Sequence, residues 1–280
     1  MEYNYPNKEL LEKRSEELGK EDKYYNLSKL IFQKDFNNKL LFPIGIDDNN
    51  EKYYIDLIDK SGIFISGETG SGKSIFLNDI IISLLFKNTP QELQLILIDS
   101  KNVEFNIYQD LHHVNKNVIP NINAALIYIK NEIEKRRQLF VKSNSKNIEE
   151  YNSNNELLPH LILIIDETEL VDDFINPNEL IRDILSEGYK FGVHLILATS
   201  SYLKNNYNHQ TINSFNYVLS FDQASEEQAK YLKINKANLL SVYGEALVKC
   251  DDDSIINIQA PYVSDHDVEE VVNHIKNTNN

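Results

Sequence analysis

Residues 67–74 read Gly67-Glu68-Thr69-Gly70-Ser71-Gly72-Lys73-Ser74, and no other stretch constrains the fold of this chain so tightly. An apolar run at 63–66 leads into the octet, and 74–86 follows it, apolar around most of a helical circumference. A glycine-rich turn between a strand and a helix lets backbone amides curl around phosphate oxygens, and the helix adds the positive end of its dipole. The GxxxxGK[ST] pattern in this setting is a phosphate-binding loop, and it implies an α/β sheet with helices on its faces. Gly67, Glu68, Thr69, Gly70, Ser71, Gly72, Lys73, Ser74 and Ile75 are the expected nucleotide-binding residues. Lys73 is expected to reach the β and γ phosphates of ATP and to serve catalysis, and the Ser74 hydroxyl to ligate Mg²⁺.

The rest of the chain alternates in the manner such a sheet requires. Strand patterns at 93–99, 161–166 and 193–199 are separated by helical patterns at 122–141 and 179–189, which predicts a mainly parallel sheet flanked by helices. A strand at 217–221 and a hairpin around the acidic turn 251–253 finish the sheet, and 266–276 reads as a terminal helix. The first 25 residues read as a peripheral helix and linker outside the core, and the Asn-rich pieces at 151–155 and 205–216 as exposed loops. The division is a short N-terminal helical extension at 1–39 and an ATPase domain at 40–280.

Two further strand ends carry candidate chemistry. Leu161-Ile162-Leu163-Ile164-Ile165-Asp166-Glu167 is a buried strand pattern ending in two carboxylates. Downstream of a phosphate loop, Asp166 would hold Mg²⁺ through water and Glu167 would polarise the attacking water. At the end of Leu195-Ile196-Leu197-Ala198-Thr199-Ser200, Thr199 or Ser200 is placed to sense the terminal phosphate, with plain capping of the strand end as the equal alternative. Other tempting residues read as ordinary: His112 and His113 as a solvated pair, and Glu132 to Arg137 as a salt-bridged, solvated helix face.

Composition limits the partners. The formal net charge is −15, from 28 Lys plus Arg against 43 Asp plus Glu, and only Arg14, Arg136, Arg137 and Arg182 are arginines. A surface that grips nucleic acid everywhere is excluded, because neutralising phosphates needs clustered cations, so any DNA contact must be local. The lone Cys250 excludes an internal disulfide and fits a reducing, cytoplasmic setting. No run approaches the roughly 18 apolar residues of a membrane span.

The segments between these motifs resemble the FtsK/SpoIIIE translocases. Leu97-Ile98-Asp99-Ser100-Lys101-Asn102-Val103-Glu104-Phe105 is similar to that family's LIDPKxVEL stretch. Glu132-Ile133-Glu134-Lys135-Arg136, Asn147-Ile148-Glu149-Glu150-Tyr151-Asn152, Leu158-Pro159-His160 and Gly192-Val193-His194-Leu195-Ile196-Leu197-Ala198-Thr199 follow in the family's order. Tyr262-Val263-Ser264-Asp265 and 268–272 resemble its closing segment. The resemblance runs from about Leu40 to Lys276. It implies a RecA-like core, assembly into a homo-oligomeric ring (a hexamer) or with a related ATPase subunit, and movement of double-stranded DNA in chromosome partition or plasmid transfer. Two departures stand out. Ser200-Ser201-Tyr202 replaces the family's Gln-Arg-Pro, and the family's arginine-bearing segment is here Asn213 to Phe221 and then Ala224-Ser225-Glu226-Glu227, without arginine. A subunit of a type VII-like protein secretion motor and a regulatory nucleotide-binding module with little turnover remain open beside the DNA motor.

Overall fold

Long helical crossovers and tight turns both join neighbouring strands of this chain, and the two kinds of connection set different strand directions. The computed structural model describes residues 3–12, 25–31, 38–99, 104–115, 121–167, 176–200, 206–223 and 225–278. In chain order the elements are α1 (Glu9–Glu12), β1 (Tyr25–Asn26), α2 (Ser28–Ile31), β2 (Leu41–Ile46), β3 (Lys52–Asp56), β4 (Gly62–Ser66), α3 (Lys73–Leu85) and β5 (Leu93–Asp99). Next come α4 (Ile122–Ser143), α5 (Ile148–Asn154), β6 (His160–Asp166), α6 (Pro177–Glu187), β7 (Val193–Thr199), α7 (His209–Ile212) and β8 (Tyr217–Ser220). The chain closes with α8 (Glu226–Tyr231), β9 (Glu245–Lys249), β10 (Ile255–Gln259), β11 (Pro261–Tyr262) and α9 (Asp265–Thr278).

Among the described residues, β1 pairs with β11, and the remaining strands form a nine-stranded sheet ordered β3-β2-β10-β9-β8-β4-β7-β6-β5. The block from β8 to β5 is parallel, whereas β8–β9, β9–β10, β10–β2 and β2–β3 are antiparallel. The sheet is therefore mixed, and the expected mainly parallel sheet is corrected. The reason is loop length. The turns between β2 and β3 and between β9 and β10 are too short for a crossover helix, so each pair can only fold back as a hairpin.

Strands β4, β6 and β7 are buried along their whole length. Their alternate residues feed two cores. Ile63, Ile65, Ile162, Ile164 and Ile196 pack with Phe76, Leu77 and Ile80 of α3 and Val268, Val271 and Val272 of α9. Phe64, Leu163, Ile165, Leu195 and Leu197 pack with Ala125, Leu126 and Ile129 of α4 and Ile181 and Ile184 of α6. Period-two side-chain alternation on a doubly covered strand produces this division, and no polar face is left.

Three expectations fail for reasons of packing. Leu11 of α1 is only 2% exposed and joins the core beside α9, so the first 25 residues do not all lie outside it. The Asn-rich stretch around α7 buries Tyr207, Ile212 and Phe215, and Asn208 serves as the helix cap rather than as loop filler. His113 is fully buried with Nε2 2.9 Å from the Asn88 carbonyl, and burial pulls its pKa down to about 4. Residues 13–24 of the expected N-terminal helix, Ser100 to Val103, Ser201, Tyr202 and Ala224 lie outside the described residues.

Candidate nucleotide site

The phosphate loop leaves β4 at the edge formed by the C-terminal ends of the parallel strands. Gly67 starts the turn, because a Cβ there would lie 2.6 Å from both Phe221 Cβ and Ser71 Oγ. Gly70 and Gly72 hold φ of +84° and +113°, which side-chain-bearing residues rarely adopt. The loop is tied down by Glu68 N–H to Asp222 O (2.8 Å) and Ser71 N–H to Glu68 O (3.1 Å).

Lys73, the first residue of α3, is 5% exposed. Its Nζ donates to the loop carbonyls of Gly67 (2.8 Å) and Glu68 (3.2 Å) and lies 3.3 Å from Glu167 Oε1. The Ser74 hydroxyl donates to Asp166 Oδ2 at 3.4 Å. Burial is the main reason that the Asp166 carboxyl is pushed up to about 7; the charge of Glu167 adds to this, Lys73 opposes it, and Glu104 and Asp99 contribute. Glu167 stands just beyond β6 with φ +50°, a left-handed backbone that costs about 1–3 kcal/mol and clusters at functional sites. Its amide donates to Ala198 O (3.0 Å), and its Oε2 accepts the Ser200 hydroxyl (2.7 Å).

A cleft of about 230 Å³ opens here. Thr69, Gly70, Gly72, Lys73, Ser74 and Ile75 line it from the loop side, and Asp166 and Glu167 from β6. Gly67, Glu68 and Ser71, also expected at the nucleotide, form the turn without lining the cleft. Thr199 ends β7 fully buried and does not line the cleft; the residue of this strand end that reaches the acids is Ser200. Three lining residues were not singled out from sequence: Asp99, Glu104 and Tyr243. Asp99 lies level with Asp166 on the neighbouring strand, and its Oδ2 accepts the Glu104 amide at 2.8 Å. Both acids sit in the stretch 97–105, where an apolar strand ending in a carboxylate was the available signal. Tyr243 carried none. Among the described residues no arginine lines the cleft: Arg136 bonds to Phe191 O, Arg137 to Glu187 and Arg182 to Thr211.

The arrangement suits a polyphosphate with a hard cation. Ser71 Oγ is buried in the loop with no hydrogen-bond partner among the described residues, Lys73 holds its ammonium on two carbonyls it can leave, and a Cβ at Gly70 would meet nothing within 4 Å. Ser74 and Asp166 offer adjacent oxygen donors of the kind Mg²⁺ prefers. Fold and site together define a P-loop nucleotide-binding ATPase domain.

The FtsK/SpoIIIE family model matches residues 28–214, and the chain belongs to that family. It is 31% identical over 261 residues to the DNA translocase FtsK of Clostridium tetani and 32% identical over 266 residues to that of Streptococcus pneumoniae. These matches take in 87% and 85% of this chain but 34% of either relative, so the chain spans about a third of their length. Among solved structures, the pCW3 conjugation coupling protein TcpA with ATPγS superposes with a TM-score of 0.70 at 28% identity, covering 92% of this chain and 75% of that one. The cytoplasmic domain of the Thermomonospora curvata type VII secretion ATPase EccC gives 0.72 at 22% identity, over 89% of this chain and 32% of that one, a likeness of fold.

Proposed function

We propose that this chain is an ATP-hydrolysing motor that moves double-stranded DNA. The observation that carries the reading is the convergence of Lys73, Ser74, Asp166 and Glu167 on one cleft, in a chain of a family whose relatives are DNA translocases. Similarity to FtsK translocases and to a conjugation coupling protein holding an ATP analogue supports chromosome partition or conjugative transfer as the setting.

Lys73 exchanges the Gly67 and Glu68 carbonyls for the β and γ phosphates, and this also dissolves its pair with Glu167. Glu167, retained by Ser200, then orients the attacking water and accepts its proton. Mg²⁺, held by Ser74 and through water by Asp166, would neutralise charge on the transferred phosphoryl group. The described arginines are engaged elsewhere, so a related ATPase subunit supplies the cation that offsets transition-state charge. Such a finger accelerates NTPases by roughly 10³ to 10⁵.

The test is ATP turnover with and without duplex DNA, with Lys73→Ala as control. Turnover that rises with duplex DNA and vanishes in the control is expected, and DNA without effect at any protein concentration would remove DNA as the cargo. The net charge of −15 favours one second reading, a motor whose cargo is a protein. Stimulation by an exported polypeptide but not by DNA would establish it.

A further inference from the structure

The cleft has two ends, and the order of strands tells them apart. Across the sheet the strands run β9-β8-β4-β7-β6-β5. The phosphate loop leaves β4, so the carboxylates that follow β5 and β6 lie on one side of it and the loop that precedes β9 on the other. Ser74, Asp166 and Glu167 fix the end that takes the terminal phosphate. A nucleotide oriented this way must send its sugar and base toward β9. The wall there is Tyr243, the only aromatic side chain among the described residues that line the cleft.

Local structure fixes the backbone that carries this residue. Residues 242–245 form a tight turn closed by Glu245 N–H to Val242 O at 3.1 Å. Gly244, its third residue, has φ +78°, the conformation that a type II turn demands at that position. The Gln259 amide donates to Tyr243 O at 3.0 Å, and a Cβ on Gly244 would lie 2.7 Å from the same Gln259 nitrogen. The turn also abuts the phosphate loop, since a Cβ built on Gly72 would meet the Gly244 backbone at 3.7 Å. The Tyr243 side chain is nevertheless 40% exposed, on a turn that is otherwise fixed. A half-exposed aromatic ring on a rigid turn beside a phosphate site is the surface on which a flat heterocycle stacks.

We propose that Tyr243 is the nucleobase subsite, its ring stacking on the base of a nucleoside di- or triphosphate whose phosphates occupy residues 67–74. The proposal rests on the ATP-site reading above. Because every base has a π-face, Tyr243 contributes affinity without selecting adenine.

Equilibrium binding of Mg-ATP, Mg-ADP and Mg-tripolyphosphate to the wild type, Tyr243→Ala, Tyr243→Phe and Lys73→Ala tests it. Tyr243→Ala should weaken ATP and ADP roughly tenfold to a hundredfold, as loss of one stacking contact does, while tripolyphosphate binds as in the wild type. Tyr243→Phe should keep wild-type affinity for all three. ATP binding unchanged in Tyr243→Ala, or an equal loss of tripolyphosphate, overturns the proposal while leaving the phosphate site intact. Wild-type protein that binds neither ATP nor tripolyphosphate, or a Lys73→Ala variant that binds both as before, overturns the ATP-site reading and this subsite together.

Discussion

Strands β6 and β7 run side by side in the parallel block of the sheet, and their two ends carry polar clusters of opposite character. At the N-terminal ends, the His194 Nδ1–H donates to the Lys60 carbonyl at 2.7 Å, so its Nε2 faces His160 Nδ1 at 3.1 Å as an acceptor. His160 Nε2 in turn meets Glu149 at 3.2 Å, and Arg136 donates to Phe191 O at 2.7 Å and to Glu132 at 3.2 Å. Gly192 has φ +66° there, and a Cβ on it would run into Ile148 Cδ1. That end is closed. At the C-terminal ends, Asp166, Glu167, Asp99 and Glu104 crowd a cleft whose cation is Lys73. Burial, with like charge added, pushes the Asp166 carboxyl up to about 7, and Glu167 takes a left-handed backbone. A buried polar cluster that satisfies itself locks strands together, whereas one with excess charge of one sign around open space is built to receive something.

The sharpest way to break this comparison is Glu167→Gln. Turnover should fall about 10²- to 10⁴-fold, the usual contribution of a general base, with nucleotide binding and melting temperature little changed. A wild-type rate would remove Glu167 from the chemistry. At the other end, Arg136→Ala should cost about 2–4 kcal/mol in denaturant unfolding, because it empties the space of a buried side chain and leaves the Phe191 carbonyl without its donor, while Glu132 keeps only Lys135. Nucleotide affinity of the folded variant should be unaltered, and a specific loss of affinity would show that the closed end is not merely structural.

A smaller effect comes from pH. Burial lowers the pKa of His194 to about 3, while an unfolded histidine titrates near 6.5. Between these values the unfolded chain binds a proton that the folded chain refuses. Stability therefore rises with pH across this window and is fully present above about 6.5. His194→Gln should flatten that rise by about 1.4 kcal/mol per pH unit, read from melts or denaturation curves between pH 4.5 and 6.5. The buried carboxyls of Asp79 and Asp166, both raised, slope the other way in this window, so the difference between variant and wild type is the quantity to follow.

The smallest expected change is Ser200→Ala. Removing one hydrogen bond to a charged group should lower turnover by roughly tenfold and leave ATPγS affinity unchanged. Ser200→Thr, which keeps the hydroxyl, should rescue it. Failure of the rescue would separate Ser200 from the positioning of Glu167.

Much of the nucleotide end was legible because its signals are local. The phosphate loop needs glycines at fixed offsets and a lysine at a helix start, and strand β6 announces itself as an apolar run stopped by two acids. The hydroxyl at the end of β7 was legible only as a choice between Thr199 and Ser200. The geometry divides them: Thr199 is sealed in the sheet and Ser200 reaches Glu167. His113 and Arg136 read as solvated charges, yet both are buried, because their partners are backbone carbonyls of distant residues that no pattern reveals.

The sequence alone determined the strands of the parallel block and the long helices between them, where the phosphate loop turns, and the two acids at the end of β6, since period, glycine placement and apolar runs act over a few residues. Tertiary structure decided that the sheet is mixed, because strand direction depends on which strands meet. It also decided that Leu11 enters the core, that Asp99 and Glu104 crowd Asp166, and that Tyr243 stands across from them. Each of those pairings joins residues far apart in the chain, and only the order of strands across the sheet brings them within reach.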